Sequence, residues 1–375
     1  MIVGINLIAL PAEKGSGAFR YIQQMLKAMG KYNLQNCEFV IYKQKKISES
    51  YIGIPSNLNV TYINVPTLGS GIKRIIFEQT LFYFYIKSCD VFYSYCTSMP
   101  LFVRAKRVFT LHDVYYYILK NRYGFLQRVY LKLITQLYVY RTDRIITVSD
   151  YSKKSICKYL NVDATRISVT YNFVITNQVG FDRDLQLDNI DDFFGNKLDI
   201  DRPFFLYIGN LQPGKNIKGM VDGYCEFVAS SKNAPNLLIV GKLGTSGEEL
   251  VQYLKGKKGV FYLGYVSREV VDALLANCVA VVLLSFCEGF GIPPLEGFGY
   301  GKPALVSNRT SLPEVVGKAG VIVDPDDIVS IANGFNMIYN SPNIYTKYID
   351  EQLQKFYYRD SVEKFIHELG IVFQD

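Results

Sequence analysis

A chain of 375 residues exceeds what one hydrophobic core ordinarily serves and calls for two domains of roughly 150 to 200 residues each. With 49% hydrophobic and 20% charged residues, a disordered or fibrous chain is excluded. The formal charge of +7 is unevenly placed: residues 1–180 carry 23 Lys+Arg against 9 Asp+Glu and residues 181–375 carry 18 against 25, so the first half favours an anionic partner such as a bilayer surface, a phosphorylated lipid or nucleic acid.

Ile2–Leu10 reads as a strand. It has no basic leader and runs straight into Pro11 and Glu13, which argues against a signal peptide. The turn Gly15-Ser16-Gly17-Ala18-Phe19-Arg20 follows, opening a helix over Phe19–Met29. It half-matches a dinucleotide fingerprint, but Arg20 stands where a third glycine belongs, and Phe39–Tyr42 leads into Lys43 rather than an acid, so nicotinamide cofactors are disfavoured. A plain tight turn is the other reading of these glycines.

Arg107–Leu111 is a further strand, ending in Thr110-Leu111-His112-Asp113. Tyr115 to Arg144 then holds seven tyrosines and six Lys+Arg with Asp143 as its one acid. That pattern fits a bilayer interface, or a core-covering helix with a basic solvent face. After strand Arg144–Val148, Ser149-Asp150-Tyr151-Ser152 offers cap side chains to a helix running through Leu160. Strands alternating with helices imply a mainly parallel sheet in a first domain, residues 1–175.

Residues 176–202 contain seven aspartates and few periodic apolar positions, and read as a linker. Alternation resumes at Phe204–Ile208, Leu237–Val240, Val260–Leu263 and Val279–Leu284, giving a second α/β domain over 203–357. Residues 358–375 form a last helix, assigned to the first domain. Seven cysteines without a C-x-x-C pair, and only two histidines, give no zinc framework and suit a reducing compartment. No stretch reaches the roughly 18 apolar residues of a spanning helix, so the expected place is the cytoplasm, at most peripheral on the inner face of the cytoplasmic membrane.

The chemistry concentrates in two loops of the second domain. Gly209-Asn210-Leu211-Gln212-Pro213-Gly214-Lys215-Asn216 follows a strand, where open α/β sheets place phosphate ligands, and Lys215 could neutralise a departing diphosphate. Glu288-Gly289-Phe290-Gly291-Ile292-Pro293-Pro294-Leu295-Glu296 follows another strand and opens a helix. Its glycines let backbone amides approach a ligand at a positive dipole end, and Pro293 and Pro294 suit a first turn. An isolated pair of glutamates at this spacing is also what a loop charge and a helix charge would give. Ser311-Leu312-Pro313-Glu314 reads as a capping box with no catalytic role.

Three ordered blocks, Phe261-Tyr-Leu-Gly-Tyr-Val266, Ser285-Phe-Cys-Glu-Gly-Phe-Gly-Ile-Pro-Pro-Leu-Glu296 and Ser307-Asn-Arg-Thr-Ser-Leu-Pro-Glu314, resemble the family 4 (group 1) glycosyltransferases, which retain anomeric configuration. The likeness runs from Phe204 to Pro325 and more loosely over residues 1 to 172. It implies the GT-B fold, two Rossmann-like domains facing each other across a cleft, and transfer of a hexose from a nucleotide-sugar (GDP-mannose, a UDP-hexose or dTDP-rhamnose). The acceptor implied is a glycan, free or polyprenyl-diphosphate-linked, in surface polysaccharide synthesis.

By that resemblance, Glu288 contacts hydroxyls of the donor hexose, Glu296 the ribose, and the segment Gly289, Phe290, Gly291 and Ile292 holds the sugar or diphosphate. Gly15 and Gly17 face the donor phosphates, as do Gly209, Asn210 and Asn216 beside Lys215. His112 stabilises the sugar near its anomeric carbon or orients the acceptor, with Asp113 fixing the imidazole. The family often places an arginine where Gly214 or Asn210 stands here, which leaves Lys215 without its usual helper; Arg309 is one candidate to replace it.

Asp-x-Asp occurs at 182–184, 199–201 and 324–326, none after a strand of the first domain, so neither metal nor other cofactor is expected. The rival readings are a GT-B epimerase, a nicotinamide-dependent oxidoreductase, and a non-catalytic binding protein on this scaffold. The last would allow nucleic acid, a partner that the intact Glu288, Glu296 and Lys215 disfavour.

Overall fold

The computed structural model describes residues 1–10, 17–68, 71–96, 98–119, 124–174, 191–199, 201–231, 233–244 and 247–373. The chain divides into two units, Met1–Phe173 with Tyr358–Asp375, and Val174–Tyr357.

The first unit is built on seven strands: β1 (Ile2–Asn6), β2 (Glu38–Gln44), β3 (Asn59–Val65), β4 (Val91–Ser94), β5 (Lys106–Thr110), β6 (Arg144–Thr147) and β7 (Ile167–Val169). They lie in the order β3-β2-β1-β4-β5-β6-β7, every pair parallel. Strand order reverses between β1 and β4, and the carboxyl ends of those strands flank the crevice where such sheets receive ligands. β1 stops at Asn6, short of the expected Leu10, because the Asn6 side chain leaves the ladder pattern. Its Oδ1 accepts from the Ile8 amide (3.2 Å) and its Nδ2 donates to Glu78 Oε1 (2.6 Å).

The helix Asp150–Leu160 shows how local sequence sets an element. Ser149 Oγ accepts from the Ser152 amide at 3.0 Å, and Asn161 ends the helix with φ +52°. The last helix, Tyr358–Glu368, packs on β6 and β7 of this unit. Glu368 takes Arg144 Nε and Nη2 at 2.7 and 2.9 Å and Ser168 Oγ at 2.6 Å, while Phe365 meets Tyr93 edge-on at 5.0 Å. Burial pushes the Glu368 carboxyl up, but the bonds from Arg144 and Ser168 outweigh it and hold the group below its ordinary value.

The second unit carries β8 (Phe204–Ile208), β9 (Asn236–Val240), β10 (Val260–Gly264), β11 (Ala280–Leu283), β12 (Ala304–Ser307) and β13 (Gly320–Val323) in the order β10-β9-β8-β11-β12-β13, again all parallel. Here the reversal lies between β8 and β11. β8 is a continuous apolar run, Phe-Phe-Leu-Tyr-Ile, because both faces of a central parallel strand are covered. Most of the expected linker, residues 176–190 and 200, lies outside the described residues. Residues 191–199 form a turn tied by Asp192, whose Oδ1 accepts from the amides of Phe194 and Asn196, and docked on β10 by the Phe193 amide to the Tyr262 carbonyl at 2.7 Å. Among the described residues no helix is long and apolar enough to cross a membrane.

Candidate functional site

The loops after β8 and β11 meet at the reversal point of the second sheet. The first, Gly209–Asn216, leaves β8 alongside β9: Gly209 donates to the Val240 carbonyl and Leu211 to that of Lys242, both at 2.9 Å. The close run requires glycine at 241, where a Cβ would lie 1.9 Å from the Gly209 carbonyl oxygen. One helical turn over Pro213–Lys215 then aims Lys215, and Asn216 at φ +53° redirects the chain into helix Ile217–Ser230.

Asn216 was expected at the donor. Its amide is instead buried, donating to the Pro325 carbonyl at 2.8 Å, so its side chain anchors the loop. Asn210 is exposed at the loop's edge, its carbonyl 3.3 Å from the Tyr207 hydroxyl.

The second loop is fastened to the first by the Phe286 amide, which donates to the Gly214 carbonyl at 3.0 Å. Two residues on, Glu288 Oε1 lies 2.6 Å from Lys215 Nζ and 2.7 Å from Ser285 Oγ. The ammonium and carboxylate keep 26% and 13% of their side-chain surfaces in solvent, enough for a ligand to reach the pair. Burial, and secondarily the Glu288 charge, pushes the nearby Tyr207 phenol well up, keeping it a neutral donor.

The main chain of Glu288 is held from the turn after β12. Thr310, at φ +53°, accepts from the Glu288 amide at 2.9 Å. The Ser311 hydroxyl lies 2.8 and 2.9 Å from the Glu288 and Phe290 carbonyls and is shared between them. This corrects the capping-box reading of Ser311: it adopts helical backbone angles, makes no side-chain cap bond, and spends its proton on the Glu288 loop.

Gly291 has φ +100°, and a Cβ there would meet Leu312 at 2.5 Å, so only glycine turns the chain into helix Ile292–Gly299. The amides of Gly289 to Ile292 stand at the start of that helix, while the Phe290 ring is core, edge-on to Phe356 at 5.3 Å.

Glu296 is buried within the same helix and bonds to Arg268 Nη1. Arg268 also pairs with Asp272 at 2.6 Å; although burial lowers its affinity for the proton, the two carboxylates raise it more. Arg268, the partner of the candidate Glu296, is a residue that sequence reasoning missed, and its one signal was its place at the start of the helix after β10. Arg309, the candidate helper of Lys215, is taken by Asp324 at 3.0 Å and Asp326 at 2.8 Å, which also accounts for the third Asp-x-Asp. The first Asp-x-Asp, and Ile200 of the second, lie outside the described residues.

In the first unit, Gly15 lies outside the described residues and Gly17 begins helix Gly17–Met29. His112 follows β5. Its Nε2 is 3.1 Å from the Tyr95 carbonyl, Tyr21 stands edge-on to the ring at 5.3 Å, and Ser152 Oγ donates to the His112 carbonyl at 2.9 Å. Burial, only partly opposed by the Tyr95 carbonyl, pushes its pKa down from 6.5 to about 4, so the ring is neutral at pH 7. The Asp113 carboxylate accepts from the Tyr115 amide at 3.1 Å, and the Tyr95 carbonyl meets the imidazole.

A cation at the end of a parallel strand, joined to the start of a helix, is suited to a diphosphate whose negative charge grows as it departs. A family model described as glycosyl transferases group 1 matches residues 188–355, and one described as glycosyltransferase family 4 matches residues 16–178. O-antigen chain mannosyltransferase B of Escherichia coli is 34% identical over 192 residues, 50% of this chain and 49% of that protein.

O-antigen chain mannosyltransferase RfbU of Salmonella typhimurium is 30% identical over 245 residues, 64% of this chain and 62% of that one. The chain thus spans about half to under two thirds of the length of these curated relatives. Among solved structures, HepE of Anabaena in complex with UDP and glucose superposes with TM-score 0.71 at 16% identity, covering 99% of both chains. Sucrose-phosphate synthase of Thermosynechococcus elongatus does so with TM-score 0.75 at 15% identity over 98% of both. At such identities the likeness is one of fold.

Proposed function

The chain belongs to the group 1, family 4 glycosyltransferases of GT-B fold, and from that premise we propose that it moves a hexose from a nucleotide-sugar to a glycan acceptor, free or lipid-linked, with retention of configuration and without a metal. The observation that carries the proposal is the Lys215–Glu288 pair at 2.6 Å, set where the strand order of the second sheet reverses. Lys215 meets the diphosphate, Glu288 orients sugar hydroxyls, Glu296 positioned by Arg268 serves the ribose, and the amides of Gly289 to Ile292 complete the cradle.

In this reading the bond between the anomeric carbon and the diphosphate oxygen breaks as the acceptor oxygen bonds to the same face. The acceptor's proton passes to the departing diphosphate. A neutral His112 suits a hydrogen-bonding role toward sugar or acceptor better than that of a fixed cation. Mannose is the hexose this reading favours, because two relatives are named O-antigen chain mannosyltransferases; GDP-mannose is then the proposed donor, ahead of UDP-hexoses and dTDP-rhamnose, and O-antigen or capsule assembly at the inner face of the cytoplasmic membrane the proposed setting.

A thermal-shift and transfer screen across these donors tests the reading. One nucleotide-sugar should raise the melting temperature and support transfer. Lys215→Ala and Glu288→Ala should each lower turnover roughly a hundredfold or more, about 3 kcal/mol, while the apo melting temperature stays near that of the parent. Unchanged transfer in both variants overturns the assignment.

A further inference from the structure

Helix Phe125–Arg141 is apolar on two opposite sides. Thr135, Tyr138 and Val139 are buried, with Leu131 and Ile134 packed against the same core of the first unit. At 3.6 residues per turn, Phe125, Leu126, Val129, Leu133, Leu137 and Tyr140 fall in one arc about 120° wide on the other side. All six are exposed, with Phe125, Leu126 and Tyr140 at 80%, 82% and 80%. Gln136, which donates to the Leu160 carbonyl at 3.1 Å, is the one polar residue in that arc; a helix that only covered a core would turn mostly polar residues to solvent there, and soluble proteins rarely leave so large an apolar stripe bare. The adjoining helix Ile72–Gln79, linked through Gln79 Nε2 to the Tyr138 hydroxyl at 3.3 Å, also exposes Ile72 and Ile76.

Charge decides what covers the stripe. By helical position Arg128 and Lys132 border one edge of the arc, and Arg141 beside Tyr130 borders the other; no acid occurs between Gly124 and Arg141. The unit as a whole carries 25 Lys+Arg against 13 Asp+Glu. A second copy packed by a two-fold axis would bring cationic edges together with no carboxylate on the helix to answer them. We propose that this face docks on a bilayer containing anionic lipid, the helix lying in the plane of the surface with its aliphatic arc below the headgroups and its basic edges among them. The proposal rests on surface residues alone and stands apart from the donor-site reading.

Co-sedimentation of the full chain with phosphatidylcholine vesicles, with and without phosphatidylglycerol, tests it. Binding to the mixed vesicles should exceed binding to the neutral ones roughly tenfold or more, each cation contributing about a factor of five. Leu126→Gln/Leu133→Gln, which leaves charge unchanged, should weaken binding roughly tenfold. Arg128→Gln/Arg141→Gln should weaken it comparably toward anionic vesicles only. Melting temperatures equal to the parent's confirm that these variants fold. Equal pelleting with both vesicle types overturns the proposal, as does undiminished binding of the leucine variant, or a parent dimer by light scattering that this variant converts to monomer.

Discussion

At the reversal point of the second sheet, Lys215 and Glu288 meet at 2.6 Å with part of both side chains in solvent. At that of the first, Arg74 and Glu78 lie 3.2 Å apart with 10% and 0% of theirs exposed. The second pair is wrapped by Asn6 and Ser98, and burial, against the pull of Arg74, pushes the Glu78 carboxyl up. Two ion pairs at topologically equivalent places are therefore suited to opposite uses under the proposed function. One that solvent can reach can trade its partner for a ligand; one sealed from water fixes the end of β1. Position in a fold marks where a ligand can sit, and exposure separates the pair proposed to meet one from the supporting one.

The contrast is broken most directly at the sealed pair. Arg74→Ala leaves a carboxylate buried without its cation and should cost about 3 to 5 kcal/mol in a chemical denaturation experiment, where Lys215→Ala costs little. Similar losses in both variants would erase the distinction. Next in size is Glu368→Gln, which weakens two bonds from Arg144 and should destabilise by about 2 to 3 kcal/mol while donor-induced stabilisation survives. Because the folded Glu368 lies below its ordinary value, its contribution is complete above the unfolded value and lost as pH falls through the folded one. Acid melts of the variant should accordingly be flatter in that window.

Much of this was legible and part was not, for identifiable reasons. Phe204–Ile208 announced itself because five consecutive apolar residues fit a strand covered on both faces. β7, β12 and β13, at three or four residues, are too short to show a period, and β3 alternates polar and apolar residues along an edge. The Lys215 and Glu288 motifs could be read one at a time, but their contact spans 73 positions and exists only through the sheet's crossover. Ser311 followed the local rule for a cap in its letters. The positive φ of the preceding Thr310 is a tertiary demand that the letters do not carry.

Smaller effects sharpen the second site. Ser311→Ala and Thr310→Val each remove a hydroxyl held on the Glu288 main chain and should cost about 1 kcal/mol, read as a severalfold fall in kcat with the donor's KM nearly constant. Smallest is a pH effect in the first unit. Between pH 6.5 and about 4 the unfolded chain binds a proton that folded His112 refuses, so stability declines as pH falls through that window. His112→Gln should shallow the decline; an identical pH dependence of melting would show that burial does not govern this ring.

The return of helix Tyr358–Glu368 to the first unit has a consequence for biosynthesis. When a ribosome has completed β13, every strand of both sheets exists, yet Arg144 and Ser168 still await the carboxylate that satisfies them. The earlier-made half of the protein is thus the one that matures last, and a nascent chain stalled near its end would expose an unfinished first unit beside a finished second one.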